Sequence, residues 1–205
     1  MGTGIQSGLQ TATCWIGIMI LIICGSPHSE GQTSQVLRLI EQRLLQFGYS
    51  TQRVCVGTLD LPFYGLDNGV SADLSVWRQA VDSACALVIG SPEYHDSFSA
   101  GLKNLLDHLN ITLVAGKPAA LVAASGSPRG GMATLAAMRH VLRSLHVPAV
   151  VEQLAVCPQD RDTRNGRWSN DLLAQADSVV AGLLRQIAPA SPPAPSPFNR
   201  RSAQP

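Results

Sequence analysis

"SPEYHDSFSAGLKNLLDHL" (residues 91–109) passes from the end of an apolar run straight into helix spacing. Immediately before it, residues 85–89 form a short aliphatic segment of strand length. After it, Leu102, Leu105, Leu106 and Leu109 recur at the intervals of one helix face. Between them stand Pro92, Glu93, Tyr94, His95 and Asp96, which offer an aromatic face with several donors and acceptors. Pro92 is expected to end the strand and leave the following backbone amides free for a ligand. The same residues also suit a solvated loop before a well-capped helix.

Working outward, the same strand–loop–helix unit repeats. Apolar runs at residues 16–24, 119–124 and 150–156, with a weaker one at 52–56, join 85–89 to make five candidate strands. Their hydrophobicity is nearly continuous rather than alternating, as expected of parallel strands covered on both faces. Helical spacing fills the gaps: Leu37, Ile40, Leu44 and Phe47; Leu74, Trp77 and Val81; Leu135, Met138 and Leu142; Leu172, Ala176, Val179, Val180 and Leu183. Gly48 and the Gly116–Pro118 pair read as helix stops. This alternation predicts a doubly wound α/β domain.

One domain is expected over residues 15–187. A loose extension, 1–14, precedes it, and a proline-dense segment, 188–205, follows as a disordered tail. The apolar stretch 12–24 superficially resembles a secretory signal. No Lys or Arg precedes it, the first basic residue being Arg38, so it reads as a buried first strand.

Composition narrows the function. The 205 residues carry a net charge of +1, which gives no footprint for nucleic acid or an anionic membrane. The expected partners are a small molecule and further copies of the chain. Five cysteines without a CxxC pair read as reduced thiols buried as small hydrophobes in a cytoplasmic protein, with neither a metal site nor a disulfide framework. No GxSxG or HExxH pattern points to hydrolysis.

Open α/β sheets bind ligands beyond the carboxyl ends of their strands. Three exits therefore matter. The first, "GSPHSEGQTSQ" (25–35), clusters hydroxyls around a helix start, where free N–H groups attract phosphate. Ordinary N-capping would use the same residues. It lacks the GK[ST] ending of a P-loop, and no dinucleotide fingerprint follows a strand. The second is residues 91–96. The third, "ASGSPRGG" (124–131), has Gly126, Gly130 and Gly131 for close backbone approach and Arg129 for positive charge. The fold sets these three strands side by side, so their loops reinforce one another.

At these residues the sequence resembles the NADPH-dependent FMN reductase family of the flavodoxin-like superfamily. The pattern P-x-Y-x-x-S-x-x-x-G-L-K-N-x-x-D is matched by Pro92, Tyr94, Ser97, Gly101, Leu102, Lys103, Asn104 and Asp107. S-G-x-x-x-G-G is matched by Ser125, Gly126, Gly130 and Gly131, and residues 25–34 are similar to the family's first loop. "LDLPFYGLD" (59–67) resembles the loop after its second strand. One departure is that His28 stands where the family usually has Arg.

The resemblance implies a five-stranded parallel sheet in the order 2-1-3-4-5, flanked by helices, with bound FMN and NADPH as co-substrate. Carried over, Ser26, His28, Gln32, Thr33 and Ser34 would hold the FMN phosphate. Pro92, Glu93, Tyr94 and His95 would line the ribityl chain and ring, and Ser125, Gly126 and Arg129 would approach the ring's other side. Lys103, Asn104 and Asp107 would be structural. The implied activity is hydride transfer from NADPH through FMN to a quinone, azo compound, metal oxyanion or free flavin, with ping-pong kinetics. A homodimer or homotetramer is implied too. The alternative is a flavodoxin-like electron carrier or flavin redox sensor; such carriers usually show an acidic surface, whereas the pI here is about 7.7.

Overall fold

The computed structural model describes residues 19–66, 71–128 and 130–187. In chain order they form β1 (Met19–Cys24), α1 (Gln32–Gln46), β2 (Ser50–Cys55), α2 (Ala72–Ser83) and β3 (Ala86–Tyr94). There follow β4 (Ser97–Phe98), α3 (Ala100–Asp107), α4 (Ile111–Val114), β5 (Ala119–Ala124), α5 (Met132–Ser144), β6 (Ala149–Val156) and α6 (Asn170–Ile187). The main path of the sheet runs β2-β1-β3-β5-β6, and every neighbouring pair along it is parallel. With the two-residue β4 set aside, this is the expected 2-1-3-4-5 order.

Continuous hydrophobicity in the central strands β1, β3 and β5 has the expected cause, whereas the edge strands β2 and β6 are only partly buried. Along β1, Ile20, Ile22 and Cys24 face one cluster while Leu21 and Ile23 face the other, and all five are fully buried. On the first face α1 and α6 contribute Leu37, Ile40, Leu44, Val179, Val180 and Leu183. On the second, α2, α3 and α5 contribute Trp77, Val81, Leu102, Leu105, Leu135 and Met138. Each fully buried Leu or Ile side chain is worth about 1.5–3 kcal/mol. Trp77 satisfies its buried indole N–H by donating to the Leu105 carbonyl at 3.0 Å.

Two readings need correction. Pro92 does not end the third strand. It sits opposite Ala124 at the last pair of the β3–β5 ladder, where one missing N–H donor costs little, and β3 continues to Tyr94. The chain then reverses over His95 and Asp96, whose φ values are 52° and 60°, and β4 pairs back in the register Glu93↔Phe98 and Tyr94↔Ser97. This is a two-residue hairpin of the kind that needs left-handed backbone at both central positions. Secondly, the one-turn helix α4 was not anticipated; Asn110 caps it by accepting from the Leu113 N–H at 2.9 Å.

The edge strand β6 is guarded. Its register against β5 shifts between Ala119 and Leu121, and Arg139 donates to the carbonyls of Ala149, Val150 and Val151 at 3.3, 2.6 and 3.2 Å. An irregular edge with a cation on its carbonyls is a poor template for a further strand. Among the described residues, no helix is long and apolar enough to cross a membrane. The expected extension 1–14, the start of the first strand at 16–18 and the tail 188–205 lie outside the described residues.

Candidate functional site

Gly25 begins the site because the chain leaves β1 in a space without room for a side chain. A Cβ there would meet Leu102 Cβ at 3.0 Å, the Gly90 carbonyl at 3.1 Å and Ser99 Oγ at 3.2 Å. Gly25 N–H donates to Gly90 O at 2.7 Å. Ser99, the N-cap of α3, donates its hydroxyl to Gly25 O at 2.6 Å and accepts from Leu102 N–H at 3.1 Å. Its own N–H donates to the buried Ser91 hydroxyl at 3.0 Å. The exits of β1 and β3 are therefore locked together by one small residue and two serines.

From there the first loop folds back over the start of α1. His28 N–H donates to Ser26 Oγ at 3.2 Å, and Ser34 Oγ donates to His28 O at 3.0 Å. Gln32 reaches across to donate to Cys157 O at 3.0 Å, tying the loop to the exit of β6. Ser26, Thr33 and Ser34 are buried, while His28 is exposed.

Two of the helices that start on this rim, α1 and α5, differ in what their positive ends hold. At α5, the Glu93 carboxylate accepts from Gly131 N–H at 2.9 Å and Thr134 Oγ1 at 3.0 Å. Burial alone would raise the Glu93 pKa, but hydrogen bonds from the Ser125 and Thr134 side chains and the Gly131 and Thr134 N–H groups outweigh it and lower the value. An anion from within the chain thus fills this helix start. At α1, the N-cap Gly31 makes no side-chain cap bond and the first turn contains no acidic residue. Its donors and helix dipole suit an external anion, flanked by Ser26, His28 and Thr33. That contrast is the fit to the phosphate of a mononucleotide.

The third loop is shaped by a close approach. A Cβ on Gly130 would fall 1.8 Å from Ser125 Cβ, so only glycine can lie this close to Ser125. Ser125 Oγ also accepts from Ser127 N–H at 3.0 Å. Gly126 is exposed beside it, and Arg129 lies outside the described residues. The second loop presents Tyr94, with 47% of its surface exposed, and the hairpin tip His95–Asp96; Pro92 is buried beneath. The described residues expected in the three loops lie on one rim, except that Glu93 directs its carboxylate into α5 and Gln32 its amide onto β6.

The loop after β2 completes the rim. Asn104 accepts from Tyr64 N–H at 2.8 Å and donates to Pro62 O at 3.0 Å. His108 Nε2 lies 2.9 Å from the same carbonyl, and its ring meets Tyr64 edge-on at 5.4 Å. Together with Val56, Leu59, Leu61, Phe63, Gly101 and Leu105 this loop encloses an apolar cleft of about 210 Å³. Lys103 pairs with Asp107 at 2.6 Å along α3. Asn104 thus fixes the loop after β2, while Lys103 and Asp107 pair with each other along α3. Ser99 and Thr134 were missed. Their signals are a Ser just before the α3 stripe and a Thr three residues after a Gly-Gly helix start.

A parallel sheet with an open anion site at α1, an aromatic hairpin and a glycine-tight loop on one rim defines a flavodoxin-like, flavin-binding α/β protein. The chain belongs to the NADPH-dependent FMN reductase family, whose model matches residues 18–161. It is an oxidoreductase of that class, using FMN and NADPH. An NADPH azoreductase of Bacillus sp. (strain OY1-2) is 28% identical over 140 residues, covering 67% of this chain and 75% of the relative. An FMN-dependent NADPH-azoreductase of Staphylococcus aureus (strain USA300) is 30% identical over 151 residues, covering 68% and 77%. The apo structure of an NADH:FMN oxidoreductase superposes with a TM-score of 0.71 at 26% identity, covering 86% of this chain and 92% of that one. An archaeal flavodoxin, at 11% identity and TM-score 0.59 over 82% of this chain and 97% of its own, shares the fold.

Proposed function

We propose that this chain reduces a small planar acceptor, an azo compound or a quinone, with electrons taken from NADPH. FMN sits on the rim just described. Ser26, His28, Thr33 and Ser34, with the backbone N–H of Gln32, hold its phosphate at the uncapped start of α1. Pro92, Tyr94 and His95, with the backbone of Glu93, border the ribityl chain and one side of the ring. Ser125, Gly126 and Arg129 border the other side, and Arg129 also meets a phosphate of NADPH. Bound there, FMN supplies the hydride chemistry, and the protein supplies position, exclusion of water and electrostatics.

The observation that carries this reading is the contrast between the two helix starts, one filled by Glu93 and one left for an outside anion. The azoreductases among the relatives support an azo acceptor. Phe63, Tyr64 and Leu66 stand exposed on the loop beside the site, which supports a homo-oligomer in which a second copy covers them. The setting is the cytoplasm, where NADPH is the reductant at hand.

Purified full-length protein loaded with FMN should oxidise NADPH steadily when an azo dye or quinone is added, with parallel double-reciprocal lines. If it holds FMN but turns over NADPH with neither, the azo or quinone acceptor fails; no turnover with a metal oxyanion or free flavin as well would favour an electron-carrier role.

A further inference from the structure

Beneath the proposed phosphate loop lies a pair of thiols that the flavin chemistry does not use. Cys24 and Cys55 are the last residues of β1 and β2 and are registered partners across that parallel pair. Adjacent strands lie about 4.8 Å apart, within the range of Cα separations that a disulfide bridges. Both side chains lie on the same face, Cys24 within the core cluster and Cys55 packed against it. The two side chains are close enough for each to perturb the other's ionisation. Both are free in this structure, Cys24 fully buried and Cys55 partly exposed.

Cys24 is wired to the anion loop. Its sulfur lies 3.2 Å from Ser34 Oγ and 3.8 Å from the Ser26 carbonyl. Hydrogen bonds from Cys55 and Ser34, with the nearby charge of Arg53, outweigh the opposing effect of burial and lower the Cys24 pKa to about 6. Cys55 is pushed upward by its bond to Cys24 and by burial. The pair as a unit therefore releases its first proton near neutrality, and the remaining proton sits between the sulfurs.

We propose that Cys24 and Cys55 form a reversible disulfide when the protein meets a hydroperoxide, and that this bond loosens the loop that holds the flavin phosphate. Hydrogen peroxide reaches Cys55 at the surface. With the one shared proton on Cys24, the Cys55 sulfur attacks one peroxide oxygen; the O–O bond breaks, Cys55 becomes a sulfenic acid, and the other oxygen leaves as hydroxide, which takes up the proton the pair first released and becomes water. Cys24 then attacks the Cys55 sulfur and expels the hydroxyl, which leaves as a second water with the thiol proton. Two thiols are oxidised and one peroxide is reduced. To reach Cys55, the Cys24 sulfur must give up Ser34 Oγ, and the Ser26–Ser34 frame shifts with it. The bond joins two directly opposed strand ends held by the ladder, so strain leaves it open to reduction by a dithiol. The effect on flavin binding, unlike the disulfide, rests on the placement of the FMN phosphate proposed above.

The test uses reduced, flavin-free, full-length protein treated with hydrogen peroxide and then alkylated. Non-reducing digestion with trypsin and chymotrypsin, which cuts after Trp15 and so separates Cys14 from Cys24, maps the bond by mass spectrometry. The expected product is a Cys24–Cys55 cross-link, lost with dithiothreitol. FMN affinity of the oxidised protein should fall about tenfold, as for loss of one charge-assisted hydrogen bond, with riboflavin affinity unchanged. Cys55→Ser protein, treated identically, should keep its FMN affinity. Cross-links to Cys14, Cys85 or Cys157 instead, or sulfinic acid without a cross-link, overturn the proposal. A Cys24–Cys55 bond that leaves FMN affinity unchanged overturns its coupling to the loop. Failure of the reduced protein to take up FMN at all sinks the flavin placement, while the mass measurement still decides the disulfide.

Discussion

The Glu93 carboxylate, near the end of β3, accepts from the N–H of Gly131, the N-cap of α5, at 2.9 Å. A side chain from one rim loop thereby holds the next loop shut, with Thr134 and Ser125 as further donors. The group meets the helix dipole in the favourable sense and stays ionised because its donors outnumber the losses from burial.

Replacing Glu93 with Gln removes the charge but keeps the shape. The variant is expected to lose about 1.5–3 kcal/mol of stability at pH 7, the range for hydrogen bonds to a charged group. The lowered pKa sets the sign: the contribution is complete above the unfolded-state value near 4.5 and fades as pH falls through the folded value. Urea unfolding of both proteins at pH 7 and near pH 3 checks this. A gap between them that persists unchanged at acid pH would show that the carboxylate's charge is not what stabilises the loop.

Gly130→Ala drives a Cβ into Ser125, at 1.8 Å. The loop must open to accept it. Expected results are a loss of about 1–3 kcal/mol, as for overpacked sites, and a weaker hold on FMN in fluorescence titration. Unchanged FMN affinity would remove residues 125–126 from the site.

His28→Arg puts a forked cation at an exposed position beside the α1 start. FMN affinity should rise about tenfold through bidentate contact with phosphate, whereas affinity for riboflavin, which lacks the phosphate, should not change. An equal rise for both ligands would place residue 28 away from the phosphate.

Asp96→Gly relieves a non-glycine residue held at φ 60° in the hairpin. About 1 kcal/mol of stabilisation is expected, which raises Tm by about 2–4 °C for a chain of this size. A fall in Tm would show that the Asp96 side chain, rather than the backbone it occupies, secures the turn.

Much of the molecule was legible along the chain. Continuous apolar runs named the strands, and helical intervals named five helices, because burial on two faces or on one stripe leaves a local periodic trace. The position of the rim loops followed from that alternation, as did the hydroxyl cluster of 26–34 and the glycines of 126–131. Ser99 and Thr134 were hidden because a serine or threonine near a helix start looks the same whether it caps locally or anchors a distant strand.

From the sequence alone came the class of sheet, the order of its elements in the chain and the three loops rich in binding groups; these depend on patterns within a few residues of one another. Only the folded molecule decided that β3 runs through Pro92 into a hairpin, that Glu93 fills one helix start while the other stays open, and that Cys24 meets Cys55. Each of those outcomes depends on a partner set by packing and register rather than by local spacing, so no local pattern could encode it.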